Sequence, residues 1–260
     1  MRKLIIAALV IVALAVVADF GAAAYAEHTI AQQMRQQLAL TSEPSVRING
    51  FPFLTQALAG HYSAIDLRAS AVPVPPLQNL EIEATLHDVD APLAEVSAGD
   101  VRSVRAARVD GRVRIKDTDL GRAIGIEDLQ LQQPSDQEIK QLLPAGTADS
   151  PRGNRSPVRM VATTDLLGER TEIIAVGVIE LTTDLIRVTI SDVRLAKDSV
   201  GTTSVPRAVR QRLFETMSTT AKPGALPFAI TPTSVRVETG SVVAEGTAYD
   251  VSLRQVRAGA

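Results

Sequence analysis

Apolar and polar residues alternate through much of this chain, as expected of β-strands with one buried face. The alternation runs through residues 65–69, 80–86, 107–115, 158–162, 173–181 and 186–190, and returns in a final pair at 234–238 and 242–253. Short connections between successive strands favour antiparallel pairing. The pattern therefore predicts an α+β fold: a single domain in which one long, curved, mostly antiparallel β-sheet holds helices.

A helical period replaces the alternation over residues 23–40. Ala26, Ile30, Met34 and Leu38 recur every four residues, and the glutamines lie mostly off that stripe. This is the pattern of an amphipathic helix. Packing on a sheet is the ordinary interpretation of such a helix, and lining a lipid tunnel is the more specific one.

Two further helices are predicted later in the chain. The first begins at Asp117, where short acidic and hydroxyl side chains suit a helix start, and runs to about Ile124. The second covers 206–217, with Pro206 in its first turn. Its apolar face consists of Val209, Leu213, Phe214 and Met217.

Composition changes between residues 130 and 156, where Gln, Pro, Ser and Gly dominate. Such a stretch is typical of a long, flexible loop, and it is the best candidate boundary between the two halves of the chain. The halves do not align convincingly as a repeat, so we treat residues 27–260 as one domain.

The N-terminus has the pattern of an export signal. Arg2 and Lys3 precede an uncharged apolar run over 4–17, and Ala24-Tyr25-Ala26 forms an A-x-A pattern before Glu27. Residues 1–26 are therefore either a cleaved signal peptide or a retained membrane anchor. Both alternatives place the rest of the protein outside the cytoplasm, in the periplasm or cell envelope.

Composition removes several classes of function. The 260 residues contain no cysteine, three histidines and 3% aromatic residues, with a net charge of −2. Disulfides and thiol chemistry are excluded, a histidine-ligated zinc site is improbable, and nothing would attract nucleic acid. No nucleophile or phosphate-loop motif is present, and Asp88-Val89-Asp90 is better explained as a solvated turn than as a metal site. We expect no cofactor, no metal and no enzymatic activity.

One row of basic residues is a candidate for binding an anionic group. Arg108, Arg112 and Arg114 fall on one face of the strand at 105–115, and arginine forks match phosphate oxygens. The alternative is the solvated side of a strand, with Asp110, Asp117 and Asp119 neutralising the row.

The segment 46–62 has the most distinctive composition. Asn49-Gly50 signals a turn, and Phe51-Pro52-Phe53-Leu54 then concentrates two of the chain's five phenylalanines. In a chain with few aromatic residues, this cluster forms either a plug in the core or the wall of an apolar site.

The same segment carries a family resemblance. Val46-Arg47-Ile48-Asn49-Gly50-Phe51-Pro52-Phe53-Leu54-Thr55-Gln56, followed by Leu58, Gly60 and Tyr62, resembles the signature of the LmeA-like family. The leader running into Asp19 and the Leu226-Pro227-Phe228 motif fit the same pattern. The resemblance implies an exported actinobacterial phospholipid-binding protein, similar to tubular lipid-binding proteins in which a curved antiparallel sheet wraps a long helix.

The resemblance also implies partners and a biological role. These are anionic phospholipid, including phosphatidylinositol types, the membrane surface and an envelope mannosyltransferase, with support of mannan elongation on lipomannan-type glycolipids. The alternative is a tethered scaffold that stabilises such an enzyme without carrying lipid; a glycan-processing enzyme is a third hypothesis. We predict Arg108, Arg112 and Arg114 as headgroup ligands. Predicted acyl-chain contacts are Ile30, Met34, Phe51, Phe53, Leu54, Leu58, Leu213, Phe214 and Met217.

Overall fold

The protein is an α+β structure built on two antiparallel sheets, as a computed structural model shows. The structure describes residues 2–37, 40–75, 77–92, 104–126, 128–142, 153–166, 169–182, 186–195, 211, 214, 218, 220–221 and 231–252. The predicted fold class, helix plus mostly antiparallel sheet, is confirmed. The strands are divided between two sheets rather than forming the single long sheet that we expected.

Sheet A has six strands in the order β1-β2-β3-β4-β11-β10. Their bounds are β1 Ser45–Asn49, β2 His61–Val74, β3 Leu77–Asp90, β4 Arg105–Lys116, β10 Thr231–Glu238 and β11 Ser241–Ser252. All neighbours are antiparallel. The predicted strands at 65–69, 80–86 and 107–115 are the central parts of β2, β3 and β4, and the final hairpin is confirmed.

Sheet B has five strands in the order β5-β6-β7-β8-β9. Their bounds are β5 Gln130–Gln132, β6 Arg155–Leu166, β7 Glu169–Leu181, β8 Ile186–Leu195 and β9 Thr220–Ala221. The two sheets meet at β10, where the Val235 N–H donates to Gly153 O at 3.0 Å and the Val237 N–H donates to Ser156 Oγ at 3.2 Å. These bonds satisfy donors that an open sheet edge would leave unpaired.

Helix α1, Arg2–Gln37, is continuous from the leader through the predicted amphipathic helix. Its first part is exposed, and its second part packs against β1 and against the short helix α2, Phe53–Ala59. Among the described residues, α1 lies on one face of sheet A beside β1, and the sheet does not enclose it.

Helix α3, Asp117–Ile124, has the bounds predicted from sequence. Gly125 ends it with a φ of 78°, which glycine adopts without strain. Buried Asp119 accepts hydrogen bonds from the backbone N–H of Asn79 at 2.6 Å and from Arg122 at 2.8 Å. Burial raises the pKa of Asp119, but these bonds outweigh it and hold the pKa below its usual range.

The predicted loop at 130–156 contains regular structure in its described part. It includes β5, the start of β6, and helix α4, Asp136–Leu142. Glu138 of α4 is buried and binds Arg159 and Arg194 on the outer face of sheet B. A local signal for this helix was overlooked: Ser135 and Glu138 form a capping box, in which the Ser135 N–H donates to the Glu138 carboxylate at 2.8 Å.

Two apolar clusters lie on the same face of sheet A. The first, the α2-side cluster, lies where α1 and α2 cover one end of the sheet. Its buried members are Phe53, Ala57, Tyr62, Val89, Ala91 and Ala106. The second, the sheet-B cluster, lies where sheet B packs on β10 and β11. It includes Leu131, Val158, Met160, Ile173, Ile179, Val235 and Val242.

Candidate functional site

The Phe-Pro-Phe segment is divided between a buried and an exposed side of α2. Phe53 is 7% exposed, and its ring lies 6.3 Å from that of Tyr62, inside the α2-side cluster. Leu54 and Leu58 are 42% and 82% exposed and share one face by helical spacing, and Phe51, which precedes the helix, is 61% exposed. Both interpretations of this cluster therefore have residues that fit them: Phe53 is a core plug, while the other three form a surface.

The apolar face of sheet A continues beyond the α2-side cluster. Leu67, Ala69, Ile82, Ala84 and Val113 lie on this face, and each is half-buried. They occupy two neighbouring rungs, in which Leu67 pairs with Ala84, and Ala69 pairs with Ile82 and through it with Val113. We call these five residues, with Gly111 and Gly246, the apolar floor.

The middle of the apolar floor is low because its side chains are small. Ala84 pairs with Gly111, and Gly111 pairs with Gly246, so one rung crosses three strands without a large side chain. A Cβ added at Gly111 would meet Gly246 O at 3.8 Å, an ordinary van der Waals distance. The floor therefore has a shallow depression in its middle, formed by these three small residues.

Helix α1 provides one wall beside the floor. Ala23 and Ala26 pack into the α2-side cluster, and Ile30 and Met34 follow on the same helical face, each half-buried. The Glu27 carboxylate accepts the Ile48 N–H at 2.7 Å and fixes the helix against β1. Ile30 and Met34 are two of the predicted acyl-chain contacts, and their role in binding lipid stays a prediction.

The predicted headgroup residues lie on the opposite face of sheet A. Successive residues of a strand point to opposite sides, so Arg112 and Arg114 project away from Val113 and the floor. Arg112 pairs with Glu83 at 3.6 Å and with Glu245 at 2.9 Å. Arg114 pairs with Glu81 at 3.6 Å and with Glu238 at 2.6 Å.

Arg108 completes the basic row and pairs with Asp110 at 3.2 Å. Three aspartates were expected to neutralise the basic row, and only Asp110 does so. Asp119 instead accepts hydrogen bonds from Asn79 and Arg122. Asp117 accepts the Thr118 N–H. The cross-strand glutamates do most of the pairing. The structure therefore brings the arginines together with carboxylates and separates them from the apolar floor, and headgroup binding by them stays a prediction.

Carboxylates on this polar face are held in their ionised form. Hydrogen bonds from Arg114 and Arg236 keep the pKa of Glu238 below its usual range. Burial raises the pKa of Glu245, but bonds from Arg236 and Ser234 outweigh it, so that pKa is also lowered. A polar groove of about 880 Å³ runs along this face, lined by polar residues such as Arg112 and Glu245. Ala84, Gly111 and Gly246 also line it, so the small residues of the floor border the sheet on both of its faces.

The acyl-chain contacts predicted on the helix at 206–217 do not join those of the Phe-Pro-Phe segment. Phe214 is half-buried and packs on the sheet-B cluster, not on the cluster that contains Phe53. Leu213 and Met217 lie outside the described residues. The nine predicted acyl-chain contacts therefore do not form one group in the described part of the chain.

Sequence reasoning missed two features of this site. The residues of the apolar floor were assigned to strands but were not singled out. Small residues at 84, 111 and 246, on three neighbouring strands, are a usable signal. Asp19 was noted only as the residue into which the leader runs, as part of the family resemblance. Its contacts with α2 are long-range, and no local pattern indicates them.

An α+β scaffold with a half-covered apolar sheet face and an apolar N-terminal helix has the exposed apolar surface that a lipid-binding protein needs. The sequence model of the LmeA-like phospholipid-binding family matches residues 17–247, so the chain belongs to this family. The resemblance drawn from residues 46–62 is thereby confirmed, and membership supports lipid binding. No curated protein and no solved structure matches the chain.

Within the part of the chain that the structure describes, α1 is long and apolar enough to cross a membrane, by length and composition. A signal sequence and an anchor share these properties. The helix is therefore compatible with export.

Proposed function

We propose that the protein binds a phospholipid by laying its acyl chains along the apolar floor of sheet A. The observation that carries this proposal is the half-buried state of Leu67, Ile82 and Val113, which lie between two well-packed clusters on one continuous sheet face. Covering these side chains with acyl methylenes would contribute about 0.8 kcal/mol for each methylene buried.

The floor favours lipid binding over the scaffold hypothesis. A scaffold that carries no lipid needs a fully packed interior, as the sheet-B cluster has. The floor instead combines strand-forming aliphatics with two paired glycines that add no side chain to it. Such a depression can accommodate a flexible acyl chain. It contributes little to folding stability, because glycine contributes no side chain to a core.

We place this activity in the cell envelope and expect the bound lipid to be anionic. The export pattern of residues 1–26 supports the location, and the family resemblance supports the headgroup class. On the same basis we propose that lipid binding supports mannan elongation on phosphatidylinositol-based glycolipids, beside an envelope mannosyltransferase. A non-enzymatic role is part of the proposal; in its support, Glu81, Glu83, Glu238 and Glu245 are each paired with an arginine.

The test is to purify the full chain from membranes in mild detergent and identify co-purified lipid by mass spectrometry. We expect bound phospholipid in wild type and much less in Gly111→Val, whose side chain fills the depression without a backbone clash. Ala107→Val, at an exposed position of the same strand, is the matched control and should keep its lipid. Wild-type protein that is consistently lipid-free and inert to anionic vesicles would refute the proposal.

A further inference from the structure

The charge that interrupts the apolar N-terminal run is buried against the globular part of the protein. Asp19 is the only charged residue between Lys3 and Glu27, and it is 4% exposed. Its Oδ2 accepts the Phe53 N–H and its Oδ1 accepts the Leu54 N–H, each at 2.8 Å. These N–H groups open α2, where no preceding residue of the helix can pair with them.

Neighbouring residues of the leader make further contacts with the same region. The Phe20 ring stacks on that of Phe51 at 5.9 Å, and Ala22, Ala23 and Ala26 pack into the α2-side cluster. The family match begins at residue 17, before these residues. Cleavage before Glu27 would remove all of these contacts, expose the cluster and leave two backbone donors of α2 without their carboxylate.

We propose that residues 1–26 remain attached as a membrane anchor, and that the exposed face of α2 rests in the interface of the same membrane. That face consists of Phe51, Leu54 and Leu58. Its occupant is the lipid bilayer itself. The proposal goes beyond phospholipid binding by the apolar floor and does not depend on it.

Helix length places α2 at the right depth. From Leu4 to Phe20, α1 rises about 26 Å at about 1.5 Å per residue, close to the roughly 30 Å of a bilayer hydrocarbon core. Phe20 then lies at the outer boundary, where aromatic side chains concentrate. Because Phe51 stacks on Phe20, the apolar face of α2 lies at that same boundary, and Asp19 avoids the lipid by facing α2.

The far end of β2 lies away from this boundary. β2 starts at His61, directly after α2, and ends at Val74, roughly 40 Å away for an extended strand. Ser42, beyond the end of α1, donates to Ser70 O near that far end at 3.1 Å. Val74 is exposed and apolar but should remain in water, which makes it a control for the membrane contact of Leu58.

The first test is the mass of the mature protein, taken from the membranes of its own host. We expect the full 27.7 kDa chain. A chain beginning at Glu27 would overturn the proposal, whatever lipid it carries. Loss of lipid from a full-length protein would instead overturn the function proposed for the floor.

The second test uses the absence of tryptophan from the chain. Single Leu58→Trp and Val74→Trp variants of the full chain are reconstituted into phosphatidylcholine–phosphatidylglycerol vesicles with brominated acyl chains. We expect blue-shifted emission and strong quenching for Leu58→Trp, and neither for Val74→Trp. Equal, water-like emission from both variants would overturn the proposal that α2 rests in the membrane interface.

Discussion

The sheet-B cluster and the apolar floor are both apolar faces of antiparallel sheets, but they are covered differently. In the cluster, Val158, Met160 and Ile173 are almost completely buried, and the other face of the same strands buries Val161, Ile174 and Val176. On the floor, Leu67, Ile82 and Val113 alternate with charged residues and are half-buried. The difference indicates that the cluster supplies stability, while the floor retains apolar surface that a lipid can cover.

The short helix α2 shows the same contrast between a buried and an exposed apolar side chain. Phe53 faces the α2-side cluster, and Leu58 faces outward. Phe53→Ala should therefore cost about 3–5 kcal/mol of unfolding free energy, as is typical of a buried phenylalanine. Urea denaturation measures this loss, and Leu58→Ala, which should change stability by less than about 0.5 kcal/mol, is the control. Equal costs at both positions would mean that the two faces of α2 do not differ.

The cluster and the floor can be compared by one substitution in each. Ile173→Ala in the sheet-B cluster should cost about 2–5 kcal/mol. Ile82→Ala on the floor should cost less in stability, because its side chain buries less surface, and should reduce bound lipid. Chemical denaturation and lipid extraction on both variants measure the two effects. If Ile82→Ala destabilises as strongly and leaves lipid unchanged, the floor belongs to the core.

The contact between Asp19 and α2 should have an effect of intermediate size. Asp19→Ala removes the acceptor for two N–H groups and should cost about 1–2 kcal/mol. Asp19→Asn keeps one side-chain acceptor and should cost less. Hydrogen exchange at the Phe53 and Leu54 amides locates the effect, which should be confined to α2 and leave the floor unchanged. Faster exchange throughout sheet A would contradict this separation.

Acid should have the smallest effect, on the polar face. Glu238 and Glu245 have lowered pKa values in the folded protein. Their stabilisation is therefore present above the ordinary glutamate pKa near 4.5 and is lost as the pH falls through the lowered values. Each half-exposed pair contributes about 0.2–1 kcal/mol. Thermal melts between pH 7 and 3 measure this loss, which Glu238→Gln should reduce.

The five side chains that define the floor do not titrate, so lipid contact there should respond less to acid than folding stability does. Vesicle binding measured at pH values where the protein stays folded tests this difference. A steep loss of binding over the range in which Glu238 and Glu245 protonate would instead link lipid binding to the polar face.

Elements with a strong local period could be predicted from the sequence, and long-range partnerships could not. The alternation at 80–86 and the acidic helix start at Asp117 located β3 and α3 well. The division of strands between two sheets was missed, because it depends on the C-terminal strand β11 returning to pair with β4 rather than on any strand's own pattern.

The candidate site shows the same limit. The segment around Phe51 gave the family and the apolar character of α2. The alternation along the strand already placed Arg112 and Arg114 on the face away from Val113. The sequence could not show that they meet four glutamates there, because that depends on strand register. Nor could it show that Asp19 faces α2, since the two segments are separated by more than thirty residues.

The central claim is that acyl chains contact the apolar face of sheet A. A photoreactive amino acid at Ile82 or at Glu83, neighbours on opposite faces of β3, tests it directly in full-length protein with phospholipid vesicles. The account predicts a covalent phospholipid adduct from position 82 and little from position 83, read by intact mass. Equal adducts at both positions, or an adduct at 83 alone, would contradict it.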